Sequence, residues 1–242
     1  MMKGIRLACI LTAHKEGIMS GLTMRSFLDC IEFAENCGIL IDKFIVLDKA
    51  DNKTKNIFTD FPDPNVQVLH TEYGDQGMAR NHAVTKVDAD YVAFLDGDDL
   101  WGLHWLVEGL KICLTIPGKV IAHPQYNWFF DQHNGIVVQC DQKTPGFSVD
   151  FLRLQNYWDA LCMTPTEIHR SHPYCERDIE EGFAFEDWHW NCETLAAGFE
   201  HHVAKGTIHF KRRRKLSQTI EASRKKTLMR NTDLLLYSWH EK

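Results

Sequence analysis

The amino-acid sequence predicts an α/β protein whose first half forms a parallel sheet. Apolar runs of strand length alternate with segments that repeat apolar residues at helical spacing as far as residue 101. Three predicted strands end near an acid: Glu16 follows the first, Asp48 the second and Asp96 the fourth. Because the carboxyl ends of parallel strands share one edge of a sheet, we expect these acids to converge on a binding site.

The elements of the first half follow from short-range pattern. The predicted strands are 5–12, 44–47, 66–69 and 91–95, and helical spacing predicts helices over 24–34 and 78–87. Gly38 is placed to end the first helix, and Asp51 is placed to cap a short helix after the second strand.

The second half mixes helices with a hairpin. We predict a helix over 103–114, strands over 120–122 and 203–210, a helix that begins at Glu186 and a helical tail from residue 220. Asn134-Gly135 lies between two apolar runs, 126–130 and 136–138, and this arrangement is typical of a β-hairpin. Residues 152–163 fit neither pattern. The chain has no internal repeat and no low-complexity linker, which indicates one continuous domain.

Composition excludes several classes of function. The net charge of −6 argues against general nucleic-acid binding, although residues 211–215 are a basic run. The eight cysteines form no C-x-x-C pair, and we expect Cys9, Cys113 and Cys192 to be reduced, buried thiols. The apolar run at 7–11 is too short for a signal peptide, and no run is long enough to cross a bilayer. We therefore expect a soluble, cytoplasmic protein.

The acid cluster after the fourth strand is the strongest local feature. Asp96, Asp98 and Asp99 fall within four positions after the apolar run 91–95. Carboxylates this close repel one another unless a cation lies among them. The simpler interpretation is a solvated turn in which Asp99 caps the next helix. We favour a divalent metal at the strand end.

Five segments, taken in order, carry recognisable motifs. They are ILTAHKE at 10–16, IVLDKADNKT at 45–54, GMARNHA at 77–83, YVAFLDGDDLW at 91–101 and FEDWHW at 185–190. Together they resemble the motifs of family 2 glycosyltransferases with the GT-A fold, of the bacterial surface-polysaccharide type. The fourth segment contains the DXD motif. The second departs from the family's "VVDDGS", since Leu47 replaces the first Asp and Lys49-Ala50 replace Gly-Ser. The resemblance implies a Rossmann-like mixed sheet flanked by helices, with a small hairpin and a helical tail.

The resemblance implies that a nucleotide-sugar donor lies across the strand ends. Asp48 matches the acid that binds the edge of the base, a task suited to an oxygen acceptor. Thr12, Ala13 and Glu16 match the loop that contacts the nucleoside, the first two through their backbone. As an alternative, Asp48 caps a turn, and Glu16 is an ordinary surface acid.

Basic residues match the rest of the donor site. Arg80 matches the arginine of the family's "ARN" segment, which contacts the nucleotide or holds the acid cluster through an ion pair. Residues 209–217 resemble the basic segment after the last strand, so Arg212 and Arg213 are expected on the diphosphate. Contact of this segment with anionic lipid is the alternative.

The DXD acids imply a metal cofactor, Mn²⁺ or Mg²⁺. Asp98 matches a direct metal ligand, and Asp96 matches a contact to both metal and ribose. Asp99 would contact the donor sugar or cap the following helix, and we favour the cap. His209 is a further candidate ligand, although a single histidine in a chain with 13 of them is more often not a ligand. Gly97 is expected to let the backbone approach the nucleotide.

Asp187 matches the catalytic base of inverting members of the family, and Glu186 is the rival for that role. The base removes the proton of the acceptor hydroxyl as its oxygen attacks the anomeric carbon. Both acids could instead cap the following helix. Trp188 and Trp190 alternate on that helix; one could stack on an acceptor sugar, and core packing is favoured for Trp188.

The resemblance therefore implies an inverting, metal-dependent glycosyltransferase. It would move a sugar from a nucleotide-diphosphate sugar, with UDP favoured, to a saccharide or lipid-linked acceptor during cell-surface polysaccharide synthesis. Within one domain over 1–242, residues 1–101 would bind the nucleotide, 102–215 the acceptor, and 216–242 would form the tail. Three roles remain open for the tail: packing on the core, formation of a homodimer, and peripheral contact with the inner face of the membrane.

Two other functions remain alternatives. A sugar-phosphate nucleotidyltransferase normally has a glycine-rich, basic phosphate loop after the first strand, and residues 12–17 here contain one glycine and an acid. An inactive nucleotide- or sugar-binding domain is less consistent with the presence of both DXD acids and of Glu186-Asp187.

Overall fold

A mixed nine-stranded sheet forms the centre of the computed structural model, which describes residues 2, 4–60, 63–214 and 218–235. The described strands are β1 Arg6–Ala13, β2 Leu40–Asp48, β3 Val66–Thr71, β4 Tyr91–Asp96, β5 Leu100–Trp101, β6 Val120–Asp131, β7 Gly135–Val138, β8 Met163–Pro165 and β9 Glu200–Arg213. Their order is β3-β2-β1-β4-β8-β6-β9-β5, and β7 pairs with β6.

Helices cover both faces of this sheet. They are α1 Met19–Asn36, α2 Asn52–Thr59, α3 Gln76–Val84, α4 Trp105–Cys113, α5 Val149–Leu154, α6 Thr166–Ser171, α7 Glu186–Ala196 and α8 Gln218–Arg224, followed by a short 3₁₀ helix over Asp233–Leu235. The apolar faces of α1 and α4 pack on one side of β1 and β4, and α3 packs on the other side. Both strands are therefore almost wholly buried, as central parallel strands are.

The first four strands pair in parallel, as predicted, in the order β3-β2-β1-β4. The chain moves outward from β1 to β3 and then returns to the other side of β1 as β4. Ligands of such sheets bind where the strand order reverses, outside the carboxyl ends of the strands. The fold therefore predicts a binding site at the carboxyl ends of β1 and β4.

Several local predictions are confirmed. Gly38 follows α1 with a φ of +87°, a left-handed conformation that glycine adopts without steric cost. The Asp51 side chain caps α2 by accepting a 2.8 Å hydrogen bond from the Thr54 amide. The predicted hairpin forms, with β6 and β7 antiparallel. The thiols of Cys9, Cys113 and Cys192 are buried and unpaired, as predicted.

The role favoured for Asp99, as a cap of the following helix, is wrong. Residues 100–101 form strand β5 against β9, and α4 begins only at Trp105 with His104 as its N-cap residue. Asp99 instead accepts hydrogen bonds from β9, as described below. The ambiguous stretch 152–163 contains the end of α5, an irregular loop and the start of β8.

The C-terminal segment, defined here as residues 218–235, packs beside α7. Leu228 forms a parallel bridge with Phe183, its amide donates to the Gly182 carbonyl at 2.8 Å, and its carbonyl accepts from the Ala184 amide at 2.9 Å. The helical character predicted for the tail is found only at 220–224, within α8, and at 233–235, while residues 225–232 are not helical. Residues 215–217 and 236–242 lie outside the described residues. In the described part of the chain, no helix combines the length and the apolar character needed to span a bilayer.

Candidate active site

A single cleft brings most of the predicted site residues together. It has a volume of about 860 Å³ and runs along the carboxyl ends of β1, β2 and β4 to the start of α7, the end of β9 and α8. That volume is in the range of small-molecule sites. Every predicted site residue except His209 lines it: Thr12, Ala13, Glu16, Asp48, Arg80, Asp96, Asp98, Glu186, Asp187, Arg212 and Arg213.

Arg80 connects the DXD acids to the acids of α7. Its side chain is only 2 % exposed, and its guanidinium lies 2.5 Å from Asp96 Oδ1 and 4.0 Å from Glu186 Oε1. The rings of Phe94 and Tyr174 flank it at 5.9 and 5.8 Å. Asp96 Oδ1 also accepts from Thr12 Oγ1 at 3.3 Å. Of the two roles predicted for Arg80, the observed contacts therefore match the second, in which Arg80 holds the acid cluster through an ion pair.

Asp98 is paired with Arg214, a cation that is not among the predicted site residues. Arg214 Nε lies 2.9 Å from Asp98 Oδ2, and Arg214 also approaches Glu16 Oε1 at 3.9 Å. Burial, reinforced by the charge of Asp99, raises the pKa of Asp98 to about 7. The positive charge of Arg214 thus offsets only part of the rise in the pKa of Asp98.

Asp99 and Asp159 share a buried lysine. Lys211 Nζ lies 3.2 Å from Asp99 Oδ2 and 3.2 Å from Asp159 Oδ2. Asp99 also accepts from the Arg212 amide at 2.7 Å, and Asn127 donates to Asp159 at 2.8 Å. Although burial opposes its charge, Lys211 holds the pKa of Asp159 below its usual range. These contacts fix the end of β9 against the acid cluster.

Gly97 is required by the packing of the protein itself. A Cβ at this position would lie 2.9 Å from Ala13 Cβ and 3.0 Å from the Thr12 carbonyl oxygen. Gly97 therefore lets the turn after β4 press directly on the end of β1. The structure supplies this reason for the glycine in addition to the expected approach of a nucleotide.

Asp48 is held rigidly at the end of β2. Its Oδ1 accepts from Thr71 Oγ1 at 2.9 Å and from the Tyr73 amide at 2.8 Å. Glu16 is held in a similar way, since its Oε2 accepts from the His14 amide at 2.6 Å. Both carboxylates lie at the cleft wall with their orientation set by backbone donors.

Glu186 and Asp187 form the first turn of α7 and line the cleft. Burial raises the pKa of Glu186, and the Arg80 charge opposes that effect. Burial and the neighbouring charge of Glu186 raise the pKa of Asp187 to about 7. A carboxyl with a pKa near neutrality is suited to accept a proton at physiological pH.

The two predicted diphosphate ligands also have protein partners. Arg212 Nε lies 2.7 Å from Asp131 Oδ2, and the Arg213 guanidinium lies 4.0 Å from the centre of the Phe129 ring. Both contacts are at the cleft mouth. Lys211 could have been found from the sequence, because strand alternation places it on the same inward face as His209.

His209 and Trp190 are not brought to the cleft. His209 is completely buried, packs edge-on against Trp105 at 4.6 Å and does not line the cleft. The structure thus does not support the expected role of His209 as a metal ligand. Trp190 is stacked on His169 in the core, so the suggested sugar-stacking role does not fit it. Trp188 packs near Leu152, in agreement with the core role favoured for it.

Backbone strain in the described chain is concentrated around this cleft. The non-glycine residues with positive φ are Lys49, Asp131, Phe185 and Lys226. Lys49 follows Asp48, Phe185 precedes Glu186-Asp187, Asp131 holds Arg212, and Lys226 follows the cleft-lining Lys225. Each such residue costs of order 1–2 kcal/mol relative to a right-handed conformation.

The chemistry of the acids fits a divalent cation with additional ligands. The described residues contain no cluster of three or more ligating side chains, so a metal here would need oxygens from a substrate or water. Asp98 Oδ2 is buried and receives no aligned hydrogen bond from the described residues, despite the nearby Arg214 charge. Carboxylate oxygens of this kind suit Mg²⁺ or Mn²⁺, which retain room for phosphate oxygens.

The sheet order, the acids at its switch point and the helices on both faces define the fold as GT-A. Residues 26–139 match the family model described as glycosyl transferase family 2. This match covers a little under half of the chain.

Solved structures agree on the fold. The structure of S. aureus TarS residues 1–349 in complex with UDP-GlcNAc matches with a TM-score of 0.65 and 14 % identity over 89 % of this chain and 61 % of that chain. The TarS 1–349 complex with UDP gives a TM-score of 0.62 at 14 % identity, over 86 % and 61 % of the two chains. The present chain thus spans about three fifths of TarS 1–349. No curated protein sequence matches it significantly.

Proposed function

We propose that the protein transfers a sugar from a nucleotide-diphosphate sugar to an acceptor hydroxyl, with inversion at the anomeric carbon. The observation that carries this proposal is the shared cleft: the DXD acids and Asp187 line it together, and Arg80 lies between Asp96 and Glu186. One displacement with a base opposite the leaving group inverts the anomeric centre. The match of residues 26–139 to the glycosyl transferase family 2 model and the GT-A fold support the same reaction class.

The donor in this proposal is a UDP-sugar. Asp48 would accept a hydrogen bond from the base, Thr12 and Ala13 would contact the nucleoside through their backbone, and Glu16 would support that loop. The fold similarity to TarS solved with UDP and UDP-GlcNAc supports a uridine nucleotide. Residues 1–101 would form this donor half, and 102–215 would supply the acceptor half.

Asp187 would act as the base. It would accept the proton of the acceptor hydroxyl as that oxygen forms a bond to the anomeric carbon and the bond to the diphosphate breaks. Burial, reinforced by the charge of Glu186, would keep the pKa of Asp187 high enough for this task.

The negative charge of the leaving diphosphate would be met by Arg212, Arg213 and Arg214. Arginine suits this role because its planar fork donates paired hydrogen bonds to phosphate. Asp96 and Asp98 would hold Mg²⁺ or Mn²⁺, which when bound neutralises further charge on the diphosphate. Arg214 would have to leave Asp98 for both to act, and it would then be free to contact phosphate.

The acceptor in this proposal is a saccharide or lipid-linked saccharide of a cell-surface polymer, made on the cytoplasmic side. This part rests on the resemblance to the bacterial members of the family. Peripheral membrane contact and a homodimer through the tail belong to the same proposal.

Titration calorimetry with UDP, GDP and dTDP, each with and without Mn²⁺, tests the donor assignment. We expect UDP to bind more tightly than the other two and Mn²⁺ to strengthen its binding. A screen of UDP-, GDP- and dTDP-sugars by nucleotide release then identifies the sugar. Release of pyrophosphate from UTP and a sugar phosphate would identify a nucleotidyltransferase instead. Binding of free sugar without any nucleotide binding would refute the proposal.

A further inference from the structure

The C-terminal segment forms a wall of the cleft beside the proposed base. Leu228 is tied to the backbone of Gly182 and Ala184, which lies three residues before Asp187. Arg230 reinforces the attachment, since its guanidinium lies 4.8 Å from the Phe183 ring and its Nε donates to the Glu176 carbonyl at 3.2 Å. The segment therefore has a fixed place next to the start of α7.

α8 and the residue after it present charged side chains to this part of the cleft. Glu221, Arg224 and Lys225 all line it. Lys225 pairs with Glu221 at 3.6 Å, an exposed contact between neighbouring turns that contributes little. Arg224 has no acidic partner within 4.0 Å among the described residues. It remains available to an anion.

Arg177 adds a second cation on the same side. It lines the cleft, and its backbone amide is anchored to Asp75 Oδ2 at 2.9 Å. Its Nε is buried and has no hydrogen-bond partner in the described part of the chain. A buried donor without a partner is costly unless a ligand satisfies it.

These cations are distinct from those that serve the diphosphate. Arg212, Arg213 and Arg214 follow one another at the end of β9, and Arg214 contacts the DXD acid Asp98. Arg177 and Arg224 instead come from the loop before α7 and from α8. Arg177 lies near the start of α7, since its charge acts on Glu186, and Arg224 lines the same cleft from α8.

We infer that the acceptor is an anionic saccharide, whose carboxylate or phosphate group binds Arg177 and Arg224 while its hydroxyl faces Asp187. This inference rests on the proposed transfer function. The arginine side chains would contribute little to binding of the nucleotide. They would select among acceptors through charge, because a carboxylate or phosphate accepts a stronger, charge-assisted hydrogen bond from Arg177 than a neutral sugar hydroxyl does.

Binding to protein saturated with UDP and Mn²⁺ tests the inference, because the donor nucleotide subsite is then filled. The probes are two matched pairs: a hyaluronan tetrasaccharide against chitotetraose for carboxylate, and glucose 6-phosphate against glucose for phosphate. We expect one anionic probe to bind at least about tenfold more tightly than its neutral partner. Its affinity should fall as NaCl rises from 50 to 300 mM, about as expected for partly exposed charges.

Arg224→Gln is the test variant, and Lys226→Gln is its matched control. Both remove one positive charge, but Lys226 does not line the cleft. We expect Arg224→Gln to weaken the anionic probe at least about fivefold, with Lys226→Gln within about twofold of the original protein and UDP affinity unchanged in both. Arg177→Gln provides a second variant and should show the same loss.

The two proposals fail in different ways. Absence of UDP binding refutes the proposed function. Normal UDP binding refutes the acceptor inference alone if no anionic probe binds, if the neutral probes bind equally well, or if Arg224→Gln and Lys226→Gln have the same affinity.

Discussion

Replacement of Arg80 by Met should destabilise the protein more than any exposed charge substitution. Arg80 is 2 % exposed and lies 2.5 Å from Asp96 and 4.0 Å from Glu186, so its loss leaves two carboxylates without their buried cation. Removal of one partner from a buried ion pair costs about 3–5 kcal/mol. The aliphatic length of Met retains part of the packing between Phe94 and Tyr174.

The expected loss is a large share of the total. Domains are stable by about 5–15 kcal/mol. At this chain length 1 kcal/mol corresponds to about 2–4 °C, so a loss of about 4 kcal/mol lowers Tm by about 8–16 °C. Urea denaturation followed by tryptophan fluorescence, with Tm from calorimetry, measures both quantities.

Two further variants decide whether the effect is electrostatic. Arg6→Met removes an exposed ion pair with Asp42, at 2.8 Å, and should cost no more than about 1 kcal/mol. Asp96→Asn combined with Arg80→Met should recover part of the loss, since it removes one unpaired carboxylate. The reasoning is wrong if Arg80→Met costs as little as Arg6→Met, or if the double variant is no more stable than Arg80→Met alone.

Three other substitutions test separate parts of the site. Asp187→Asn should lower the rate of transfer by about 10²–10⁴-fold with donor affinity unchanged. In a pH–rate profile, the original protein should lose activity as the pH falls below the Asp187 pKa of about 7. Full activity in the variant would show that Asp187 is not the base. Gly97→Ala should cost about 1–3 kcal/mol in urea, because its Cβ would lie 2.9 Å from that of Ala13, whereas Gly146→Ala, with open space around its Cβ, should not. Burial lowers the pKa of His209 to about 3, so the folded imidazole stays neutral at pH 5 while the unfolded one, with a pKa of about 6.5, takes up a proton. Stability linked to His209 is therefore lost as pH falls below about 6.5, and His209→Phe should raise Tm more at pH 5 than at pH 8. The variant should also keep the strengthening of UDP binding by Mn²⁺. Loss of that strengthening would show that His209 is a metal ligand.

The parts of the fold that depend on local pattern could be predicted from the sequence. The alternation of strands and helices, Gly38 after α1, the cap of α2 and the hairpin all follow from residues within a few positions of one another. The convergence of Glu16, Asp48 and Asp96 also follows, because parallel strands bring their carboxyl ends to one edge.

The contacts that complete the site depend on residues far apart in the chain. Asp99 was expected to interact with the following helix, but the Arg212 amide, 113 positions away, donates to its side chain. Strand β5 has only two residues and exists through its pairing with β9, so no periodicity could reveal it. Asp159 lies in an irregular loop and gains its place from Lys211 and Asn127.

The basic run after the last strand shows the same limit. Its composition indicated phosphate contact, yet charge alone does not separate Lys211, which is buried between two acids, from Arg214, which reaches Asp98. The burial of His209 likewise depends on how α4 packs across β9, where Trp105 meets the imidazole. Strand alternation places Lys211 on the inward face, but its two acidic partners and the contact of Arg214 with Asp98 are evident only in the packed structure.

The positive-φ residues around the cleft set a limit on how the protein can be made more stable. Asparagine at Lys49 or Lys226 tolerates the left-handed conformation better than lysine and should relieve part of the strain. Phe185 and Asp131 hold the backbone next to Asp187 and the side chain of Arg212. Substitutions that relieve the strain at those two positions would also relax the geometry of the cleft, so a gain in stability there should lower the rate of turnover. Elsewhere in the fold, stability should increase without a loss of turnover.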